Sequence, residues 1–281
     1  MPPSPPLPAF TYPKLVTTRL APSPPAAAVA ARVADARRPS VLQRFRERRP
    51  GTSIPHLLFY EFVRTVTMAA LTLIYRVRIY GAPRLPRTGP LLVVANHQSY
   101  FDPPMIGSSV RGRQLDYLAR SATFKFAPLG LLIRWLNAIP LKEDTTDVGA
   151  MRTVLARLGE GNAMLIFPEG GRSPDGRMEP LKRGIAVLMK RARCPIVPVA
   201  VEGCYDAWPK GQLLPHVISK RIAVAYGRPI SYEMLTAMGP EAALSHIGDT
   251  IDGMRLTLRR QLRRQTGGRL PARGPGDLPR R

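Results

Sequence analysis

Residues 91–103 read LLVVANHQSYFDP, and this stretch decides the predicted fold. Its five apolar residues, Leu91 to Ala95, predict a buried strand. His97 and Asp102 follow in one polar segment and stand five positions apart. Because ligands of open α/β sheets bind at the carboxyl ends of the strands, we expect this imidazole and carboxylate to meet at a candidate active site.

A second apolar run ends in the same way. Residues 163–166, AMLI, are followed by FPEGGRS at 167–173. On its own, a histidine five residues ahead of an aspartate also fits a structural histidine, and a glycine turn with a surface arginine fits an ordinary loop. Two strands that both end in charged groups and tight turns are typical of an α/β active site, and they favour the catalytic interpretation.

The rest of the sequence alternates between helical and strand patterns. Apolar spacing predicts helices over 148–158, 181–192 and about 244–262, and strands over 196–201 and 222–226. This alternation predicts an α/β fold, a single domain over 81–265 with a largely parallel mixed sheet flanked by helices.

Four blocks carry a resemblance to a known family. They are NHQSYFDP at 96–103, the stretch 117–142, FPEGGRS at 167–173 and VPVAVEG at 197–203. In the order and spacing of these blocks the chain resembles the 1-acylglycerol-3-phosphate acyltransferase (PlsC-like) family over roughly residues 54–262. The resemblance implies an enzyme of phospholipid biosynthesis that transfers a fatty acyl chain from acyl-CoA or acyl carrier protein to lysophosphatidic acid, giving phosphatidic acid, without a further cofactor.

The first block suits the chemistry of acyl transfer. Transfer from a thioester to an alcohol needs a base for the hydroxyl, and imidazole, which titrates at about 6.5, can take up that proton and return it to the leaving thiolate. We therefore expect His97 to act as the general base, and Asp102 to orient its ring and stabilise the imidazolium. The chain contains no G-x-S-x-G elbow, which argues against an acyl-serine intermediate.

A second set of residues is predicted to bind the acceptor. Adjacent glycines allow close approach of a ligand to the backbone, and an arginine beside them offers a planar fork of donors for a phosphate. Glu169 is expected either to hold Arg172 or a backbone turn in place, or to bind a substrate hydroxyl. The predicted substrate-binding residues are Glu169, Gly170, Gly171, Arg172, Arg120 and Lys125.

The second block departs from the family pattern. Relatives usually carry an arginine after the Ile-Pro-Val type strand, whereas this chain has Lys142 followed by Glu143. Lysine lacks the bidentate geometry of arginine, and a glutamate facing the site would repel a phosphate. A different lysolipid or an amino-acid lipid therefore stays open as the acceptor. A non-catalytic basic protein that binds membranes or RNA is a further alternative, which the intact His97 and Asp102 pair disfavours.

The chain of 281 residues carries a formal net charge of +23, much of it in the flanks. Residues 1–50 hold nine basic and two acidic residues, and residues 255–281 hold nine and one. Basic segments attract any polyanion, but no nucleic-acid-binding module is recognisable, so we expect a membrane surface with anionic lipids as the partner and no specific nucleic acid. The two cysteines indicate a reducing compartment, and because neither they nor the four histidines show metal-ligand spacing, no metal site is predicted.

Three further segments complete the predicted organisation. Residues 1–52, with eleven prolines in the first 50, are predicted to be disordered, and residues 266–281 to form a flexible basic tail. Residues 53–80 are predicted to form an amphipathic membrane-associating helix. Its longest uncharged stretch, 65–75, is shorter than the roughly 20 residues that span a bilayer, which favours an interfacial helix at the cytoplasmic face of a membrane.

Overall fold

The computed structural model describes residues 40, 43, 46–49, 51–141, 148–217 and 220–281. Contacts divide the chain into two units, Met1–Ser40 and Val41–Arg281, and every element named below belongs to the second. The prediction for residues 1–52 falls almost wholly outside the described residues. Lys142 and Glu143 also lie outside them.

Seven strands form one sheet in the described part of the chain. They are β1 (Arg78–Tyr80), β2 (Leu91–Ala95), β3 (Leu115–Arg120), β4 (Ala138–Leu141), β5 (Ala163–Ile166), β6 (Ile196–Glu202) and β7 (Ala223–Tyr226). The strands lie in the order β1-β7-β6-β2-β5-β3-β4, with β2 at the centre. All neighbours run parallel except β6 and β7, which are antiparallel. The predicted α/β fold with a largely parallel mixed sheet is therefore confirmed.

Helices cover both faces of this sheet. They are α1 (Ile54–Tyr75), α2 (Asp102–Ser109), α3 (Ala127–Trp135), α4 (Val148–Gly159), α5 (Gly184–Ala192), α6 (Cys204–Ala207), α7 (Tyr232–Met238) and α8 (Pro240–Gln265). Alternate residues of β2 face two separate hydrophobic cores, because side chains alternate across a strand. Leu92 and Val94 pack with residues of α4, α5, α7 and α8, whereas Leu91, Val93 and Ala95 pack with residues of α1, α2 and α6.

The predicted bounds of the elements are close to the observed ones. β2 and β5 have the predicted limits, whereas α5 begins at Gly184, after the predicted start at 181. The helix predicted over 53–80 ends at Tyr75, because Arg76 adopts a left-handed conformation with φ 48° and ψ 51°. The last residues of that predicted helix form β1 instead.

Helix α1 packs one face along α2 and leaves the other in solvent. Leu57, Tyr60, Leu71 and Tyr75 are buried, so the packed face runs from the first turn to the last. By length and composition this 22-residue helix could cross a membrane. Within its apolar 18-residue window, 17% is buried inside the protein. The large exposed apolar residues of α1 are Leu58, Phe62, Val66, Leu73 and Ile74. The outer face is therefore apolar along most of the helix.

The structure contradicts the flexible tail predicted at 266–281. Arg255, a fully buried side chain of α8, donates hydrogen bonds to the carbonyl oxygens of Gly276 and Leu278 at 2.6 and 2.9 Å. A buried guanidinium requires acceptors, and main-chain carbonyls of this segment supply them. The Gly- and Pro-rich composition gave no sign of these contacts, because a carbonyl acceptor is present whatever the side chain.

Candidate active site

The first candidate segment leaves the sheet at the carboxyl end of its central strand. β2 ends at Ala95, and the buried side chain of Asn96 continues the pairing with β6. The Asn96 amide group donates to the carbonyl of Val201 at 2.9 Å and accepts from the Val201 amide at 2.8 Å. Asn96 therefore anchors the start of loop 97–101 at the edge of the sheet.

Loop 97–101 closes on the carboxylate of Asp102, the first residue of α2. Asp102 is fully buried, and its Oδ2 accepts hydrogen bonds from the backbone amides of Gln98 at 2.5 Å and Ser99 at 2.7 Å. Pro103 follows in the first turn of α2. Backbone N–H groups there have no partner within the helix, so the missing N–H of proline costs no hydrogen bond. The five-residue spacing of the motif is thus the length of a loop that folds back onto one oxygen.

The same oxygen contacts His97. His97 Nδ1 lies 2.8 Å from Asp102 Oδ2, and the His97 side chain is 17% exposed. The imidazole stacks on Phe167, the first residue after β5, with ring centroids 4.1 Å apart. Because the carboxylate holds Nδ1, Nε2 is the ring nitrogen that can exchange a proton with a ligand. The two residues predicted to be catalytic are therefore in contact.

Glu169 lies behind His97. It is 4% exposed, its Oε1 accepts from the backbone amide of His97 at 2.6 Å, and its Oε2 accepts from that of Glu179 at 2.8 Å. Burial raises the pKa of Glu169 to about 9, against the lowering effect of the His97 hydrogen bond. Because both oxygens are bonded to the backbone, the geometry supports the expected role of holding a turn rather than binding a substrate hydroxyl.

The glycines after Glu169 bring Arg172 onto the ring of Tyr100. Gly170 has a φ of +72°, a conformation that glycine adopts without strain, and the space around Gly171 is open. The guanidinium carbon of Arg172 lies 3.6 Å from the centroid of the Tyr100 ring, a cation–π contact. Its Nη1 is buried and has no hydrogen-bond partner among the described residues. A buried arginine nitrogen that lacks an acceptor suits an anionic ligand.

Arg120 and Lys125 lie at and after the end of β3, which is not adjacent to β2 in the sheet. Arg120 ends β3, which β5 separates from β2, so strand spacing places its backbone about 10 Å from the end of β2. Lys125 follows a 3-10 helix over Ser121–Phe124 and is exposed. Their role as phosphate contacts stays a prediction.

Sequence reasoning misses a buried polar layer beneath the loop. Gln98 Nε2 donates to Glu202 Oε2 at 3.2 Å, and Glu202 Oε1 accepts from Arg259 at 2.6 Å. The available signal was a glutamate that ends the otherwise apolar strand β6, because a buried charge requires a partner. The aromatic partners of the histidine and the arginine, Phe167 and Tyr100, are missed as well, since nothing in the sequence indicates which ring each one contacts.

Comparison with known proteins shows which family the chain is similar to. A family model described as Acyltransferase matches residues 76–202, which include His97, Asp102 and Glu169. Over these residues the chain is similar to the Acyltransferase family. It is therefore an acyltransferase enzyme, and the resemblance carried by the four sequence blocks is confirmed.

Several relatives are named 1-acyl-sn-glycerol-3-phosphate acyltransferase. The Bacillus subtilis protein is 26% identical over 144 residues, which are 51% of this chain and 71% of that protein. The alpha protein of Homo sapiens is 31% identical over 139 residues, 48% of each chain. A chloroplastic protein of Arabidopsis thaliana is 26% identical over 183 residues, and this match spans 50% of its length. The match thus covers about half of the human and plant proteins.

A solved structure shares the fold. It is the crystal structure of the 1-acyl-sn-glycerophosphate (LPA) acyltransferase PlsC from Thermotoga maritima, with a TM-score of 0.61 and 21% sequence identity. The similarity covers 85% of this chain and 88% of that one, so it extends over nearly the whole α/β architecture.

Proposed function

We propose that this acyltransferase moves a fatty acyl chain from acyl-CoA or acyl carrier protein to the free hydroxyl of 1-acyl-sn-glycerol-3-phosphate, forming phosphatidic acid. The observation that carries the proposal is the 2.8 Å contact between His97 Nδ1 and Asp102 Oδ2 at the carboxyl edge of the sheet. The names of the Bacillus subtilis, Homo sapiens and Thermotoga maritima proteins support the choice of acceptor.

In this mechanism His97 moves one proton twice. Its Nε2 takes the proton of the acceptor hydroxyl while the hydroxyl oxygen attacks the thioester carbonyl, forming the new ester C–O bond and a tetrahedral oxyanion. Collapse of this intermediate breaks the C–S bond, and the imidazolium returns the proton to the leaving thiolate. Asp102 stabilises the positive ring in between and keeps its Nδ1 turned away from the substrate.

Arg172 is proposed to bind the phosphate of the acceptor. Its buried Nη1 lacks an acceptor in the described residues, and a phosphate oxygen would provide one. The Tyr100 ring holds the guanidinium from one side, which leaves its edge for a bidentate contact. The space around Gly171 is open, and Arg120 and Lys125 would add positive charge.

We also propose that the enzyme docks on the cytoplasmic face of a membrane with α1 lying in the interface. Because the buried face of α1 runs from its first turn to its last, its apolar outer face is placed to enter lipid from the side. Arg76 and Arg78 are exposed just beyond its end. Desolvation and the charges of these two residues lower the pKa of Arg221, so the three cations lie together. Clustered cations beside an apolar face suit anionic headgroups.

The acceptor is tested by measuring thiol release from acyl-CoA and from acyl carrier protein with the purified, membrane-reconstituted enzyme. Lysophosphatidic acid is compared with a neutral monoacylglycerol and a lyso-aminolipid, and products are identified by mass spectrometry. We expect phosphatidic acid to form fastest. Faster acylation of the aminolipid would favour the alternative acceptor suggested by Lys142 and Glu143, and absence of thiol release with every acceptor would contradict the proposal.

A further inference from the structure

We propose that residues 271–281, here called the C-terminal clamp, hold loop 97–101 in its catalytic position. The proposal adds positioning residues to the site, and it rests on the roles proposed above for His97 and Asp102. The clamp reaches the loop by two routes, one through the buried interior and one along the surface.

Two arginines of α8 fasten the clamp. Arg259 donates from Nε to Asp277 Oδ1 at 2.8 Å and from Nη2 to the carbonyl of Ala272 at 2.5 Å. Arg255 donates to two further clamp carbonyls at 2.6 and 2.9 Å. Arg259 and Arg255 are 5% and 0% exposed, respectively. Without the clamp these buried cations would lose most of their acceptors, so α8 and the clamp form one packed unit.

The interior route connects this unit to the loop through Glu202. The side chain of Glu202 is fully buried at the end of β6, and its Oε1 accepts from Arg259 Nη1 at 2.6 Å. Its Oε2 accepts from Gln98 Nε2 at 3.2 Å. The backbone amide of Gln98 in turn donates to Asp102 Oδ2 at 2.5 Å. A continuous line of hydrogen bonds thus runs from Asp277 of the clamp to the carboxylate that orients the catalytic histidine.

The surface route runs through the loop that follows the FPEGGRS segment. The side chain of Arg281 pairs with Glu179 and with Asp175. The backbone amide of Glu179 donates to Glu169 Oε2 at 2.8 Å, and the other oxygen of Glu169 holds the backbone of the catalytic histidine. The surface route therefore supports His97 at its backbone amide, whereas the interior route supports it through its carboxylate partner, Asp102.

Both routes act on the position of the imidazole and leave the proposed substrate contacts untouched. A misplacement of reacting groups by about 1 Å can lower a rate by about a hundredfold. Buried and hydrogen-bonded groups in a close-packed interior pass displacements on, because they have little free volume in which to absorb them. Weakening the interior route should therefore lower kcat and leave the KM values of both substrates unchanged.

The test cuts the interior route at its two ends. Asp277→Leu and Gln98→Leu each remove one end, whereas Asp277→Asn keeps an oxygen acceptor for Arg259 and should restore the rate. Asp249→Asn is the matched control, because Asp249 also pairs with the clamp, through Arg280 at 2.7 Å, but lies outside the interior route. The full chain is used throughout, and kcat and KM are measured by thiol release well below the lowest Tm of the set.

We expect Asp277→Leu and Gln98→Leu each to lower kcat about tenfold, with Asp277→Asn and Asp249→Asn within about twofold of wild type. Because both cuts act on one route, the double variant should be no slower than the slower single variant. Wild-type kcat in either Leu variant, multiplied effects in the double variant, or an equal loss in Asp249→Asn overturns the clamp. His97→Ala is measured alongside, and rapid turnover by that variant would overturn the proposed catalytic role instead.

Discussion

The substitution Asp102→Asn separates the charge of the carboxylate from its role in shaping the loop. The amides of Gln98 and Ser99 and the Nδ1 of His97 all meet Oδ2, whereas Oδ1 has no hydrogen-bond partner among the described residues. An asparagine oxygen in the Oδ2 position can accept all three hydrogen bonds. The opposite orientation would place an NH₂ group against two N–H donors, so the backbone selects the arrangement that preserves the loop.

The expected loss is therefore electrostatic. Two unit charges about 4 Å apart interact by about 4 kcal/mol at an effective dielectric constant of about 20, which bounds the stabilisation of the imidazolium that Asp102 provides. This energy corresponds to about a thousandfold in rate. The two backbone hydrogen bonds weaken by about 1 kcal/mol each when their acceptor becomes neutral, so Tm should fall by roughly 4–8 °C.

The assay is steady-state thiol release with lysophosphatidic acid, paired with thermal unfolding. Asp102→Asn should remain folded and lose about a hundredfold to a thousandfold in kcat with little change in KM. Asp102→Leu, which removes every acceptor from the loop, should lose far more stability. A kcat of Asp102→Asn within threefold of wild type would refute the electrostatic role, and equal instability of the two variants would refute the loop-shaping role.

Three further perturbations test other parts of the site. Arg172→Lys should raise KM for lysophosphatidic acid about tenfold while leaving KM for the acyl donor unchanged, because lysine loses the bidentate contact. A KM for lysophosphatidic acid equal to that of wild type would contradict the phosphate role. The double variant Phe62→Ser/Leu73→Ser removes exposed apolar area from α1, so it should bind anionic vesicles at least about tenfold more weakly in sedimentation assays. Its rate on a monomeric short-chain acceptor should stay that of wild type. Unchanged vesicle binding would argue against interfacial docking. Folded Glu169 keeps its proton between pH 4.5 and about 9, where the unfolded chain has lost it, so its contribution to the free energy of unfolding falls as pH rises through this window. Urea titrations should show that the stability of wild type relative to Glu169→Gln declines over the same range, and a constant difference would contradict the burial of this carboxyl.

The sheet and the contact between His97 and Asp102 could be predicted because their signals are local. β2 and β5 are buried on both faces, so each is a continuous apolar run whose ends are visible in the sequence. The spacing of His97 and Asp102 fixes the length of a loop that follows such a strand. The contact between them is then a short-range consequence of the topology.

The supporting contacts could not be predicted, because their signals lie in partners far apart in the sequence. Glu169 allowed two roles until its oxygens were seen to accept from two backbone amides. Arg255 and Arg259 fit the polar side of an amphipathic helix, and nothing in their spacing shows that backbone carbonyls of 271–281 bury them. Acceptors supplied by the main chain carry no side-chain signature, so the predicted flexible tail was wrong.

The measurement that tests the account most directly is the turnover of His97→Ala. Thiol release from acyl-CoA with lysophosphatidic acid is followed in wild type and in the variant, and circular dichroism verifies that both are folded. Loss of a general base is expected to lower kcat by about a thousandfold or more while the spectra and the thermal unfolding remain close to those of wild type. A folded His97→Ala enzyme that turns over within tenfold of wild type would contradict the central claim that this imidazole moves the proton.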